Sequence, residues 1–362
     1  MTNEADALLG TRLGNYALKE VIGRGGMGVV YRASHIYIRK PVAVKVLHRH
    51  LFDQPGAKAR FLHEAQTASL VNHPNIVGVT DFGEAPDGTV YLVMAEAHGT
   101  GLDLVLEEEG TLPLFRAIGI LGQVAQALSA VHARGIVHRD IKPENIMLAR
   151  RSGKREFVRR VRDGGTYVER LEPEACFDLV TLLDFGAART LQLDFQTESE
   201  RIFGTPAYLA PETAKTGHAD ARSEVYSVGV LFYEMLTGQV PFEGDTAADT
   251  LRMQISWLPQ PPRLRNPNVE ITEEAERVIL RALEKDPTRR QASMNEFWAD
   301  LQRCYGAMRW SRPELALGIA VAPPLLLTQR KSDKFKVVLS PEDAPTPPPA
   351  RPIDFGTFAK AR

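Results

Sequence analysis

The stretch "VIGRGGMGVVYRA" holds Gly23, Gly25 and Gly28 at G-x-G-x-x-G spacing. Such spacing lets backbone N–H groups approach a phosphate, because no side chain stands in the way. Dinucleotide folds, triphosphate loops and ordinary turns all share it, so the flanking residues decide. A dinucleotide-binding turn must open a helix, whereas Val29, Val30 and Tyr31 follow here and favour a second strand. The loop is therefore expected to join two strands of a hairpin, with N–H groups pointing at the oxygens of a triphosphate. Next comes "VAVK", in which Lys45 ends an alternating apolar run. A cation turned inward from a strand needs an anion, and Glu64 and a phosphate are the expected partners. A metal-binding carboxylate is offered three times, because Asp-Phe-Gly occurs at Asp81, Asp184 and Asp354.

In "IVHRDIKPENIMLA", His138, Arg139, Asp140, Lys142 and Asn145 fall within eight residues, between a helical pattern and an apolar strand. Here the chain resembles the protein kinase family, specifically the bacterial serine/threonine kinases that are similar to eukaryotic ones. The resemblance covers about residues 13 to 306. It implies that Asp140 orients an attacking hydroxyl and takes its proton, while Lys142 neutralises charge on the transferring phosphate. A lysine two residues after that aspartate is similar to the serine/threonine class. Asn145 and Asp184 are the implied ligands for Mg2+, a hard cation that prefers oxygen donors. The resemblance implies an ATP site formed by the three glycines with Val30 and Ala43, by the Lys45–Glu64 pair, and by the backbone of Ala95 and Ala97. His138 and Arg139 support the catalytic stretch, and Arg139 is the type of residue that receives a regulatory phosphate.

Asp184 separates itself from its rivals by context. It follows the apolar strand "DLVTLL", comes after the catalytic stretch and precedes "GTPAYLAPE". Asp81 lies between two apolar runs, in what is expected to be a surface hairpin, and Asp354 lies in a proline-rich segment; both read as solvated turn residues. By resemblance, Thr205 stabilises the substrate loop, Glu212 pairs with Arg290 as a structural ion pair, and Thr190, Thr197 and Ser199 are available for phosphorylation. Transient homodimers would serve autophosphorylation in trans.

Several positions depart from the family pattern. Glu224 stands where an aspartate usually supports the catalytic stretch, and its extra methylene is expected to loosen that support. "AEAHGTGLD" replaces the more usual acidic-aromatic hinge, which leaves adenine to backbone contacts. Between Asn145 and Asp184 the chain inserts roughly two dozen residues beyond a short strand-turn-strand. Within it, "RRSGKREFVRRVR" holds seven Lys or Arg residues and one acid. "DGG" then suggests a turn and "TYVERLEPE" a returning strand. The insert, about residues 150–175, reads as a solvated hairpin or as a docking site for an acidic partner. No catalytic group is lost, which weighs against a silent binding scaffold of the same fold. A nucleotide-dependent oxidoreductase lacks its strand-helix and its acidic ribose ligand.

These residues need elements to hold them. From Tyr16 to about Val93 the pattern is mostly strand, interrupted by one helical segment, "GAKARFLHEAQTASLV", with Phe61, Leu62, Ala65, Ala68 and Leu70 on one face. After Gly101, three long segments show helical apolar spacing. The expected fold is α+β and two-lobed: a short extension over 1–12, a β-rich lobe over about 13–97, a helical lobe over about 98–306, and a proline-rich tail over 307–362. The 362 residues carry 44% hydrophobic and 25% charged residues, enough for a sizeable core. A net charge of −1 provides no general attraction to nucleic acid, and none is expected as a partner. Two cysteines suit a reducing compartment. The acidic N-terminus does not read as a signal peptide. "LALGIAVAPPLLL" is broken by Pro323 and Pro324 and falls short of the ~20 residues of a membrane helix, so a cytoplasmic protein acting on protein serine and threonine is expected.

Overall fold

A computed structural model describes residues 8–52, 56–152, 156–160, 166–170, 176–184 and 206–311. Six antiparallel strands form the first sheet: β1 (Arg12–Leu13), β2 (Tyr16–Arg24), β3 (Gly28–His35), β4 (Pro41–Leu47), β5 (Val79–Glu84) and β6 (Val90–Met94), in the order β1-β2-β3-β4-β6-β5. One helix, α1 (Ala57–Ser69), lies between β4 and β5 in the chain. Strand alternation divides the apolar residues into two layers. Tyr31, Val42, Val44, Val46 and Val93 fill one. Ala43, Leu47, Leu92 and Met94 fill the other, together with Phe61 and Ala65 of α1. Leu62 and Leu70 do not join that helical face. Leu62 lies about 100° round the helix from Phe61, and Leu70 caps the C-terminus at 64% exposure.

The second lobe is helical. Its described elements are α2 (Leu102–Glu109), α3 (Leu114–His132), α4 (Pro211–Thr216), α5 (Ala221–Thr237), α6 (Ala247–Ser256), α7 (Pro262–Arg265), α8 (Glu273–Ala282) and α9 (Met294–Ser311). A small sheet in the order β11-β8-β7 joins β7 (Thr100–Gly101), β8 (Ile146–Ser152) and β11 (Cys176–Leu182). α3 is apolar and 19 residues long, enough to span a membrane by length and composition alone, yet Ile118, Leu121, Val124, Leu128 and Val131 are all buried in the lobe's core. It approaches α9 so closely that a Cβ on Gly122 would fall 2.4 Å from the Trp298 ring. α5 starts at a capping box, with the Asp220 carboxylate accepting from Arg222 and Ser223 N–H, and ends at Gly238, whose φ of 76° is left-handed. α9 runs on past residue 306 to Ser311.

The insert forms a backbone hairpin of β9 (Glu156–Arg160) and β10 (Thr166–Arg170), paired from Thr166↔Arg160 to Arg170↔Glu156. The "DGG" turn lies outside the described residues, as do the tail from residue 312 and the segment 185–205.

Two carboxylates of this lobe show how partners decide charge. Arg290, 1% exposed, forms a two-point pair with Glu212, both N···O distances being 2.7 Å, and also donates to the carbonyls of Glu284 and Arg222. Burial pushes the Glu212 carboxyl up, but the guanidinium outweighs it and holds the group below its ordinary value. Glu234 on α5 is half-buried, and among the described residues its carboxylate accepts the Tyr208 hydroxyl at 2.6 Å. Burial dominates there, Glu144 and Glu243 add to it, and the carboxyl is pushed up to about 7.

Removing Arg290 leaves the half-buried Glu212 carboxylate charged and without its cation. Arg290→Ala is expected to cost about 3–5 kcal/mol in urea unfolding, and the double change Glu212→Gln/Arg290→Met distinctly less; equal losses in the two would refute this account of the pair. For Glu234 the folded state holds a proton that the unfolded chain releases between 4.5 and about 7, so its contribution to stability falls as pH rises through that window. Glu234→Gln should remove that decline in melting temperature while leaving stability at pH 4.5 unchanged. Parallel pH profiles for the two proteins would contradict it.

Candidate active site

Lys45 reaches its place by strand alternation. Its neighbours Val44 and Val46 enter one apolar layer, so Lys45 shares the opposite face with Ala43 and Leu47. Val30 stands directly across from it on β3. The side chain is 8% exposed, and its Nζ lies 3.1 Å from Asp184 Oδ2. One carboxylate that meets Lys45 thus comes from the second lobe. Glu64 is on α1, but its side chain is outside the described residues.

Asp184 follows β11, and backbone hydrogen bonds fix it from two sides. Leu182 exchanges bonds with the segment before β5: its N–H donates to Asn75 O at 2.8 Å, and its carbonyl accepts from Val77 N–H at 2.9 Å. Leu183 N–H donates to Asn145 O at 2.9 Å, which ties the Asp184 strand to the catalytic stretch. Within that stretch the Asn145 amide donates to both Asp140 O and Asp140 Oδ2, each at 2.7 Å. Lys142 Nζ lies 3.8 Å from Asp140 Oδ2 and 3.9 Å from Glu144 Oε1.

Two residues of this region adopt left-handed backbone without being glycine: Arg139 at φ 68° and Asp184 at φ 39°. Both are bracketed by hydrogen bonds. His138 Nε2 donates to Leu183 O at 2.9 Å, and Arg139 N–H donates to Glu224 Oε1 at 2.7 Å. The other Glu224 oxygen meets His132 Nε2 at 2.5 Å. The extra methylene of Glu224 therefore does not loosen the support; the longer side chain spans from α5 to both groups. The Arg139 side chain itself is exposed.

The glycine loop joins β2 to β3 as expected, with one correction. Gly25 and Gly28 bond to each other across the turn, N–H to carbonyl in both directions at 2.9 and 3.3 Å, so these two N–H groups do not face outward. Gly28 allows β3 to pass β4 closely: a Cβ there would lie 2.1 Å from Val46 O. His48 clamps the loop through its ring at Gly25 O, 2.9 Å, and its N–H at Met27 O, 3.0 Å. At the hinge, Ala95 N–H donates to Gly78 O at 2.8 Å; Glu96 pairs with Arg32, and Ala97 follows.

Asp81 is not in a turn. It lies on β5, with Oδ2 accepting the Tyr16 hydroxyl at 2.9 Å, far in the chain from the residues just described. Asp354, Thr190, Thr197, Ser199 and Thr205 lie outside the described residues. Several supporting residues escape a reading of motifs. Asn75 Nδ2 donates to Val180 O at 2.7 Å and to Gln123 Oε1 at 3.0 Å, while Gln123 also donates to Asp178 O. Arg116 holds Asp178 through two bonds of 2.7 and 3.2 Å. Their only signal in the sequence is a polar residue where helical period demands an apolar one, as at Gln123 in "ILGQVAQAL".

Residues 16–299 match the family model described as the protein kinase domain. Serine/threonine-protein kinase pkn3 of Myxococcus xanthus is 37% identical over 83% of the chain, and Pkn1 of the same organism 40% over 82%. PknB of Mycolicibacterium smegmatis is 36% identical over 83%. The chain spans 52%, 39% and 44% of the length of these three relatives. Among solved structures, the Mycobacterium tuberculosis PknI kinase domain superposes with a TM-score of 0.59 at 24% identity, covering 82% of this chain and 98% of that one. A six-stranded lobe, a helical lobe and the Lys45–Asp184 pair between them thus agree with the sequence matches: the chain belongs to the protein kinase family, beside the bacterial serine/threonine kinases it resembles.

Proposed function

We propose that the protein transfers the γ-phosphate of ATP to serine and threonine hydroxyls of other proteins, with Mg2+ as cofactor. The observation that carries this reading is the convergence of Lys45, Asp184, Asn145 and Asp140 through contacts of 3.1 and 2.7 Å. The donor set suits the metal. Asn145 commits its NH2 to Asp140, which leaves its amide oxygen to join an Asp184 carboxylate, and Mg2+ takes few protein oxygens beside phosphate. Bound Mg2+ supplies positive charge over the phosphate oxygens. A buried lysine beside that carboxylate suits a polyanion, because phosphate charge offsets the cost of burying Nζ.

In this reading Asp140 accepts the proton of the substrate hydroxyl as its oxygen attacks the γ-phosphorus, and Lys142 neutralises charge on the phosphate in flight. Val30 and Ala43 contact the adenine, with the backbone of Ala95 and Ala97 at its edge. Thr190, Thr197 and Ser199 are the expected autophosphorylation sites, modified in trans within a transient homodimer and read by the exposed Arg139; Thr205 steadies the substrate loop. Residues 13–306 form the catalytic domain, and it works in the cytoplasm, where ATP and Mg2+ are found. The basic insert docks an acidic partner.

Incubation with labelled ATP, followed by phosphosite mapping, tests the assignment. Wild-type protein should incorporate phosphate at Thr190, Thr197 or Ser199. Asp184→Asn and Asp140→Asn should lower incorporation by about 100-fold or more, because transition-state charge then lacks its partner. Asp81→Asn should stay near the parent rate, and activity lost at Asp81 with the fold preserved would overturn the choice of Asp184. Removing residues 153–175 should spare phosphorylation of a generic peptide but weaken that of an acidic protein in a salt-dependent way. An equal loss on both substrates would assign the insert a supporting role instead.

A further inference from the structure

α6 buries Thr250, Leu251 and Gln254. Gln254 is fully buried, an unfavourable place for an amide unless both its ends are paired. Both are. Its Nε2 donates to the carbonyls of Ala207 and, at 3.4 Å, Pro206, and its Oε1 accepts the hydroxyl of Tyr226 on α5. Lys285 closes the knot from the end of α8, donating to Gln254 O at 2.7 Å and to the Tyr226 hydroxyl at 3.1 Å, with its Nζ 4.0 Å over the Phe242 ring.

The object of these contacts is the short turn Pro206–Tyr208. Gln254 holds its first two carbonyls, and Ser227 Oγ holds the third, Tyr208 O, at 2.7 Å. The Tyr208 hydroxyl is held in turn by Glu234. Three consecutive carbonyls are thus tied to side chains of two different helices. The turn borders the catalytic stretch, because α5 holds both: Ser227 donates to Tyr208 O, and Glu224, three residues earlier on the same helix, accepts the Arg139 N–H next to Asp140 at 2.7 Å. On the kinase reading, a polypeptide that presents a hydroxyl to Asp140 runs along this border.

We propose that Gln254 is a positioning residue for the protein substrate: by fixing the Pro206 and Ala207 carbonyls from α6, it sets the depth at which a peptide docks beside Asp140. The inference rests on the kinase reading above. Gln254 touches neither ATP nor the reacting atoms, so its effect belongs in peptide binding. An amide is suited to the task because it donates at one end and accepts at the other. An apolar isostere takes the side-chain donor from the turn carbonyls and the acceptor from the Tyr226 hydroxyl, and a carboxylate sets an acceptor against the carbonyls.

The test uses the full chain and the best serine or threonine peptide found in a degenerate peptide library. Gln254→Leu and Gln254→Glu should raise the peptide KM about tenfold or more, with the ATP KM and kcat within about twofold of wild type. Gln254→His, which keeps a donor and an acceptor at opposite ends of its ring, should recover most of the loss. An unchanged peptide KM in an active Gln254→Leu protein overturns the inference and leaves the kinase reading intact. So does a parallel rise of the peptide KM and the ATP KM with a fall in the melting temperature, which would mark a merely structural role. Wild-type protein that transfers no label from ATP overturns the kinase reading and the inference with it.

Discussion

A carboxylate placed inside a helical lobe is costly unless both its oxygens find hydrogens, and Glu224 meets that condition in a way that organises the whole site. At 2% exposure it gives one oxygen to the peptide N–H of Arg139 and the other to His132. The first bond holds a residue in left-handed backbone, a conformation that ordinarily costs about 1–3 kcal/mol, immediately before Asp140. His138 and Leu183 hold the opposite side of the bend. The catalytic stretch thus takes its course from contacts to α5 and to the strand end that carries Asp184.

α5 extends the same logic along its length. Glu224, Ser227 and Glu234 fall on one stripe at i, i+3 and i+10, and they hold Arg139, Tyr208 O and the Tyr208 hydroxyl. Ser223 and Tyr226 lie on the adjacent stripe, and reach Glu212 and Gln254. One buried helix therefore presents a row of polar groups to segments that come from distant parts of the chain. Its apolar positions, such as Val228, Leu231 and Met235, pack into the core and keep that row from turning.

Much of this was legible in the sequence because motif context carries position. Strand alternation placed Lys45 on the inward face, and the order of catalytic stretch, apolar strand and "GTPAYLAPE" separated Asp184 from Asp81 and Asp354. The two-lobed architecture was legible for the same reason, since period-2 and period-3.6 patterns occupy different halves of the chain. What stayed hidden is pairwise. A glutamine in an apolar helical period announces a buried amide but not its partner, so the links from Asn75 to Gln123 and from Gln254 to the Pro206 turn needed the fold. Leu62 was misplaced because adjacent helical residues stand about 100° apart, and Leu70 because helical period does not say where a helix stops covering the sheet. The mutual bonding of Gly25 and Gly28 was missed because spacing does not report which way an N–H points.

The β8–β11 ladder has one more consequence. It runs in unbroken register from Ile146↔Leu182, next to Asn145 and Asp184, to Ser152↔Cys176, where the insert departs. Six residue steps separate those ends, roughly 20 Å at strand spacing. A change of length beyond Ser152 and Cys176 lies outside every cross-strand pair of the ladder, which thus stands as an insulator between the insert and the site. A lineage of such proteins is free to lengthen, recharge or replace the hairpin by small steps, acquiring new attachments without a period of lost chemistry. The same end of the ladder offers an engineer a splice point for a reporter or a second binding module.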